Sequence, residues 1–170
     1  MSPLPALLPD YLALALLYVL LLPRWVKAGA RSAVLHSALY LYCVVLLRLT
    51  LMPVLTALPH VGEFPYRPML LEPFRDYVNH YGNATLQILL NVLLFVPFGV
   101  LYPMANRRGF FGVVLRGLCL SLLIELLQPL LSATRASDIT DVIANTAGTA
   151  VGYLLYLPLG CLWPSAKSNR

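Results

Sequence analysis

The sequence predicts an all-α, polytopic transmembrane helical bundle of about five spans. Three observations carry this prediction. Hydrophobic residues make up 59% of the 170 residues and charged residues only 11%. The apolar residues fall into runs about as long as a bilayer is thick. Lysine and arginine concentrate in alternate links between those runs. Such a composition excludes a soluble enzyme, and the formal charge of +5 is explained by topology, so no nucleic-acid partner is expected.

The first span is expected over 7–22, ended by Pro23. It has no basic residue up to position 22, so it does not read as a cleaved signal peptide. The second covers 32–52 and carries Arg48 near its far end. Arg48 either snorkels to the interface or partners a buried carboxylate. Residues 54–82 form the longest polar link, rich in proline and in aromatics such as Tyr66, Phe74 and Tyr77. Part of it, LLEPFRDYV, reads as a short helix lying in the membrane interface, because amphipathic rings favour that depth.

The third span covers 83–102. Asn83, Gln87 and Asn91 recur every four residues and share one face. Pro97 should kink this helix. The fourth covers 111–131, with Ser121, Glu125 and Gln128 on one face, and the fifth covers 138–159. Gly148 and Gly152 form a GxxxG pair, which lets another helix approach closely. It serves packing within the chain or a dimer; the sequence does not fix the oligomeric state. The whole chain, 1–170, reads as one membrane domain.

Orientation follows from the loops. One side holds Arg24, Lys27, Arg31, Arg107, Arg108, Lys167 and Arg170. The other holds Arg67, Arg75 and Arg135, with the acids Glu63, Glu72 and Asp76. Five spans with the N-terminus outside and the C-terminus in the cytoplasm fit throughout.

Residues 121–152 hold the densest polar chemistry. Glu125, Arg135, Asp138 and Asp141 lie within 17 residues of an otherwise apolar stretch. Ionisable groups at membrane depth mark functional sites by default, because hydrocarbon makes their retention costly. With a rise of ~1.5 Å per residue, Arg48, Asn91, Glu125 and Asn145 reach depths of roughly 6–12 Å from the same face. Gln128, Arg135 and Asp141 stand above them. A polar cavity opening outward is the expectation. The candidate ligand-binding residues are Arg48, Asn91, Gln128, Arg135 and Asn145, and the catalytic candidates are Glu125, Asp138 and Asp141. Asp138 or Ser137 can equally cap the fifth span, and Asp141 suits its first turn. Glu125 has no capping excuse; it is either paired, with Arg48 or Arg135, or protonated. No metal site is expected: His36, His60 and His80 are scattered, and Cys43, Cys119 and Cys161 read as small buried hydrophobes. No cofactor motif is present.

These motifs resemble a family. N91-V-L-L-F-V-P97-F-G99, then S121-x3-E125-x2-Q128, then R135-x2-D138-x2-D141-x3-N145-x2-G148-x3-G152 is similar to the VanZ-like proteins of bacterial membranes. Glu72-Pro73-Phe74 is a weaker counterpart of the family's interfacial segment. The resemblance covers about residues 70–155. It implies a multi-pass helical protein of the bacterial cytoplasmic membrane. The family's namesake is linked to low-level resistance to teicoplanin, a lipid-tailed glycopeptide.

Two functions follow as expectations. In one, the chain binds membrane lipids or a lipoglycopeptide, with Arg48 and Arg135 holding phosphate or carboxylate and the amides orienting it. In the other, a hydrolase or transferase acts on a lipid-linked substrate with Glu125 as acid or base. A proton-coupled transporter fits less well, since the lower half of the bundle is almost purely apolar.

Overall fold

In a computed structural model, which describes residues 4–63, 65–132 and 135–162, every named element is a helix. The long helices are α1 (Leu4–Lys27), α2 (Ala30–Thr50), α4 (Ala84–Asn106), α5 (Phe110–Leu131) and α6 (Ile139–Leu162). All five are long and apolar enough to cross a membrane. A 3-10 turn at Leu58–His60 and the short α3 (Arg75–Val78) lie in the link between α2 and α4. Lys167 and Arg170, part of the predicted inner charge cluster, and the side chain of Cys161 lie outside the described residues.

Large apolar side chains cover the outside of the bundle. Leu12, Leu16 and Val19 on α1, Leu41, Val45 and Leu49 on α2, and Leu123 on α5 are all exposed. A surface of this kind is stable only against hydrocarbon, where each helix satisfies its own backbone. Cys119 shares that exposed surface and Cys43 is half-buried. The expectation that the cysteines are buried therefore fails for Cys119, because a lipid-facing position serves a small apolar group as well as the core does.

Pro23 does not end the first helix, as the sequence suggested. α1 continues through it to Lys27. A proline removes a single backbone bond, here to Val19, and near a helix end the neighbouring bonds hold the turn.

The tightest seam is α4 against α6, and glycine creates it. A Cβ at Gly148 would fall on the carbonyl oxygen of Val92, and one at Gly152 on that of Val96 and 2.9 Å from the Cα of Gly99. Gly99 itself faces the backbone of Thr149 and Gly152. The GxxxG pair thus packs within the chain. On α5, Gly117 makes room for the buried Thr149 side chain of α6. Around this seam, Leu46, Leu51, Phe95 and Ile124 form the apolar core.

The bundle's edge is held by polar bonds. The Tyr42 hydroxyl of α2 donates to the Leu94 carbonyl of α4 at 2.8 Å, and that of Tyr40 donates to Leu14 of α1 at 2.6 Å. Asp10, buried on α1, accepts the backbone N–H groups of Val54 and Leu55 at 2.7 and 2.8 Å. Bonds to a charged acceptor contribute about 1.5–3 kcal/mol each. They tie the first helix to the chain leaving α2.

Candidate functional site

The polar residues gather at one end of the bundle, where α2 and α5 finish and α4 and α6 begin. Helix ends explain most of the gathering. The first turn of a helix leaves N–H groups without partners, and the last turn leaves carbonyls.

α6 illustrates this. The N–H of Asp138 donates to Glu125 Oε2 at 3.1 Å. The N–H of Ile139 donates to the Leu70 carbonyl at 3.0 Å. The N–H of Thr140 donates to Asp138 Oδ1 at 2.7 Å, a side-chain cap. Three amides entering α6 are thus met from three places: α5, the long link and α6 itself. The carboxylates of Glu125, Asp138 and Asp141 also face the positive end of the α6 dipole.

Glu125 does have a capping role, exerted on a neighbouring helix rather than its own. It is 2% exposed. Neither predicted arginine pairs with it: among the described residues the ion pairs are His60–Glu63 and Arg75–Glu72. The backbone of Glu125 is used as well. Pro129 stands four residues on and has no N–H to give the Glu125 carbonyl. The hydroxyl of the buried Ser137 donates to that carbonyl instead.

Arg135 and Gln128 serve the other helix end. Arg135 Nη1 and Gln128 Nε2 (3.4 Å) both donate to the Thr50 carbonyl at the close of α2. A cation there complements the negative end of the α2 dipole. Arg48 lies elsewhere. Leu46 and Thr50 point into the core, and Arg48 is two residues from each, roughly 200° round the helix. It is half-buried on the far side of α2.

Asn91 donates to Asp141 Oδ1 at 2.6 Å, joining α4 to α6. Deeper, Asn145 donates to Ser121 at 2.9 Å, joining α6 to α5. The Asn145 Oδ1 is buried without a partner among the described residues. The structure therefore brings together Asn91, Glu125, Gln128, Arg135, Asp138, Asp141 and Asn145, and leaves Arg48 apart.

The long link closes over this end. The N–H of Leu70 donates to the Ser137 carbonyl at 2.9 Å, opposite the bond from Ile139, so Leu70 and Asp138 form a β-bridge. The N–H of Phe74 donates to Thr140 Oγ1 at 2.9 Å. Phe74 has φ 59°, an unusual value for a bulky side chain. α3 is thereby set across the start of α4. Beneath it lies a polar recess of about 20 Å³ lined by Asp76, Gln87, Asp138, Thr140 and Asp141. Beside it runs an apolar groove of about 440 Å³ between Phe74, Tyr77, Val78, Thr85 and Ile88. Phe74, Tyr77 and Ile88 line both.

Sequence reasoning missed Asp10, Thr50 and Thr140. Asp10 carried a readable signal, being the lone charge before Arg24 in an apolar segment. Thr50 contributes through its carbonyl, which no residue identity reveals.

Five apolar helices, with polar side chains and helix caps collected at one end, define a multi-pass helical membrane protein. The family model described as VanZ/LLP1 matches residues 38–164. Protein VanZ of Enterococcus faecium is 35% identical over 122 residues, which cover 71% of this chain and 72% of that protein. The chain belongs to the VanZ/LLP1 family. No solved structure matches it.

Proposed function

We propose that the chain sits in the bacterial cytoplasmic membrane with the α3 end outside, and that this end receives an amphiphile. The ligand is an amphiphilic envelope lipid or a lipid-tailed glycopeptide of the teicoplanin type. Its polar head rests at the recess and its tail lies in the groove. The observation carrying this reading is that a polar recess and an apolar groove share the walls Phe74, Tyr77 and Ile88. Small-molecule sites combine apolar walls with a few convergent polar groups in this way. The basic residues Arg24, Lys27, Arg31, Arg107 and Arg108 at the other ends of the helices support the orientation.

Under the competing reading, a membrane enzyme, Glu125 is the acid or base. Its Oε2 is held by the Asp138 N–H and the residue is buried, so the fold would have to open to bring a substrate to Oε1. Binding at the recess needs no such rearrangement.

Right-side-out membrane vesicles carrying the chain should bind a lipid-tailed glycopeptide, and inside-out vesicles should not. Ile88→Trp, which fills the groove, should weaken that binding on the order of tenfold and leave the weak binding of a tail-less analogue unchanged. Equal binding of both analogues by the unmodified chain would remove the groove from the function. Binding only to inside-out vesicles would reverse the orientation.

A further inference from the structure

The recess and groove also carry information about the charge of the ligand's head. The sequence pointed to arginines holding an anion. In the structure Arg135 is committed to the Thr50 carbonyl, and Arg48 lies on the far side of α2. Arg75 turns to Glu72, 3.4 Å away. What faces the recess is acidic: Asp76, Asp138 and Asp141. Asp76 and Asp138 both lie close enough to Asp141 to interact with its charge. Among the described residues, no lysine or arginine comes within ion-pair distance of any of the three.

Two of these carboxylates retain acceptor capacity. Asp138 uses Oδ1 for the Thr140 N–H, and Asp141 uses Oδ1 for Asn91. No donor among the described residues reaches their second oxygens. Size adds a further constraint. A recess of about 20 Å³ holds one water-sized group. A primary ammonium has that size and brings three donors, as a lysine head does. A phosphate is larger, brings only acceptors and would meet three like charges.

We propose that the groove takes one alkyl chain of a bilayer amphiphile whose head is a primary ammonium, seated in the recess against Asp138 and Asp141. This rests on the reading that the α3 end receives an amphiphile, and adds the sign of its head. The groove's lining from Phe74 to Ile88 accepts the chain laterally from the bilayer. Gln87, exposed at the rim, offers its carbonyl as a further acceptor.

The test uses three photoreactive amphiphiles with the same alkyl chain and different heads: a primary amine, a phosphate and an alcohol. The full chain is held in nanodiscs of neutral phosphatidylcholine at pH 7, where the amine is charged, and the labelled peptides are mapped. The amine should label residues 74–88 at least about tenfold more than the phosphate, with the alcohol between them. Asp138→Asn with Asp141→Asn should bring the amine down to the level of the alcohol. That pair also touches the α6 cap, so Asp76→Asn provides a second variant; among the described residues its side chain makes no hydrogen bond, and it should lower amine labelling without changing the alcohol. Ile88→Trp should remove labelling by all three.

Equal labelling by the three heads, abolished by Ile88→Trp, would overturn the ammonium assignment and leave the groove standing. Preference for the phosphate would overturn it in the same way. Labelling of residues 74–88 no stronger than that of the lipid-facing helices would overturn both the ammonium assignment and the amphiphile site.

Discussion

Replacing Gly148 with leucine should cost the fold about 3 kcal/mol, the upper part of the range for overpacking. A Cβ at this position would fall on the Val92 carbonyl, with the Val92 Cα 3.0 Å away. Backbone cannot move aside as a flexible side chain can, so α4 and α6 would have to separate along their whole seam. The separation would also pull Asn91 from Asp141. Gly148→Ala should lie lower on the same scale. Thermal unfolding in a mild detergent, followed by helicity, measures both. If the glycine pair instead served a dimer, Gly148→Leu would leave the unfolding midpoint of the monomer unchanged and shift only the oligomeric state.

Glu125 should separate cleanly by the type of substitution. Glu125→Gln keeps an oxygen acceptor for the Asp138 N–H and should cost less than about 1 kcal/mol. Glu125→Leu conserves bulk but leaves that N–H unmet in an apolar setting, a cost of about 1–3 kcal/mol. Glu125→Ala adds a cavity and should be the worst, about 3–5 kcal/mol. The graded order is the signature of a carboxylate whose work is to cap α6. The same variants bear on chemistry. A capping glutamate allows Glu125→Gln to keep ligand binding and function, whereas an acid–base role requires that variant to be folded and inert.

Much of this architecture was legible in the residues. Five spans follow from run length and hydropathy, since hydrocarbon leaves the backbone no alternative to helix. Spacings of four and three residues placed Ser121, Glu125 and Gln128 on one face, and depth brought most of the polar groups to one end. The partnerships were harder to read. Periodicity tells which residues share a face, not which neighbouring helix the face meets. Arg48 matched Glu125 in depth yet stands on the wrong side of α2. Arg135 was expected to hold an acid or a ligand and instead meets a carbonyl. Asp10 and Leu70 act across 44 and 68 positions of chain on backbone groups, and backbone groups carry no residue identity to match. Pro23 was read as a stop because local rules ignore how well a helix tolerates one missing bond near its end.

Pro129 has a consequence for how this end of the protein moves. By withholding its N–H from Glu125, it leaves α5 unable to complete its own hydrogen bonding. Ser137 completes it from beyond the turn, and Glu125 in return completes the start of α6. The two helix ends are therefore reciprocal, and neither can fray while the other stays closed. Local opening should be a single event spanning the end of α5, the turn and the first residues of α6. In amide exchange, the Ser132 N–H at the close of α5 and the Asp138 N–H entering α6 should open with one common rate, and Ser137→Ala should raise both together. Independent rates for the two would show that the ends are separately hinged.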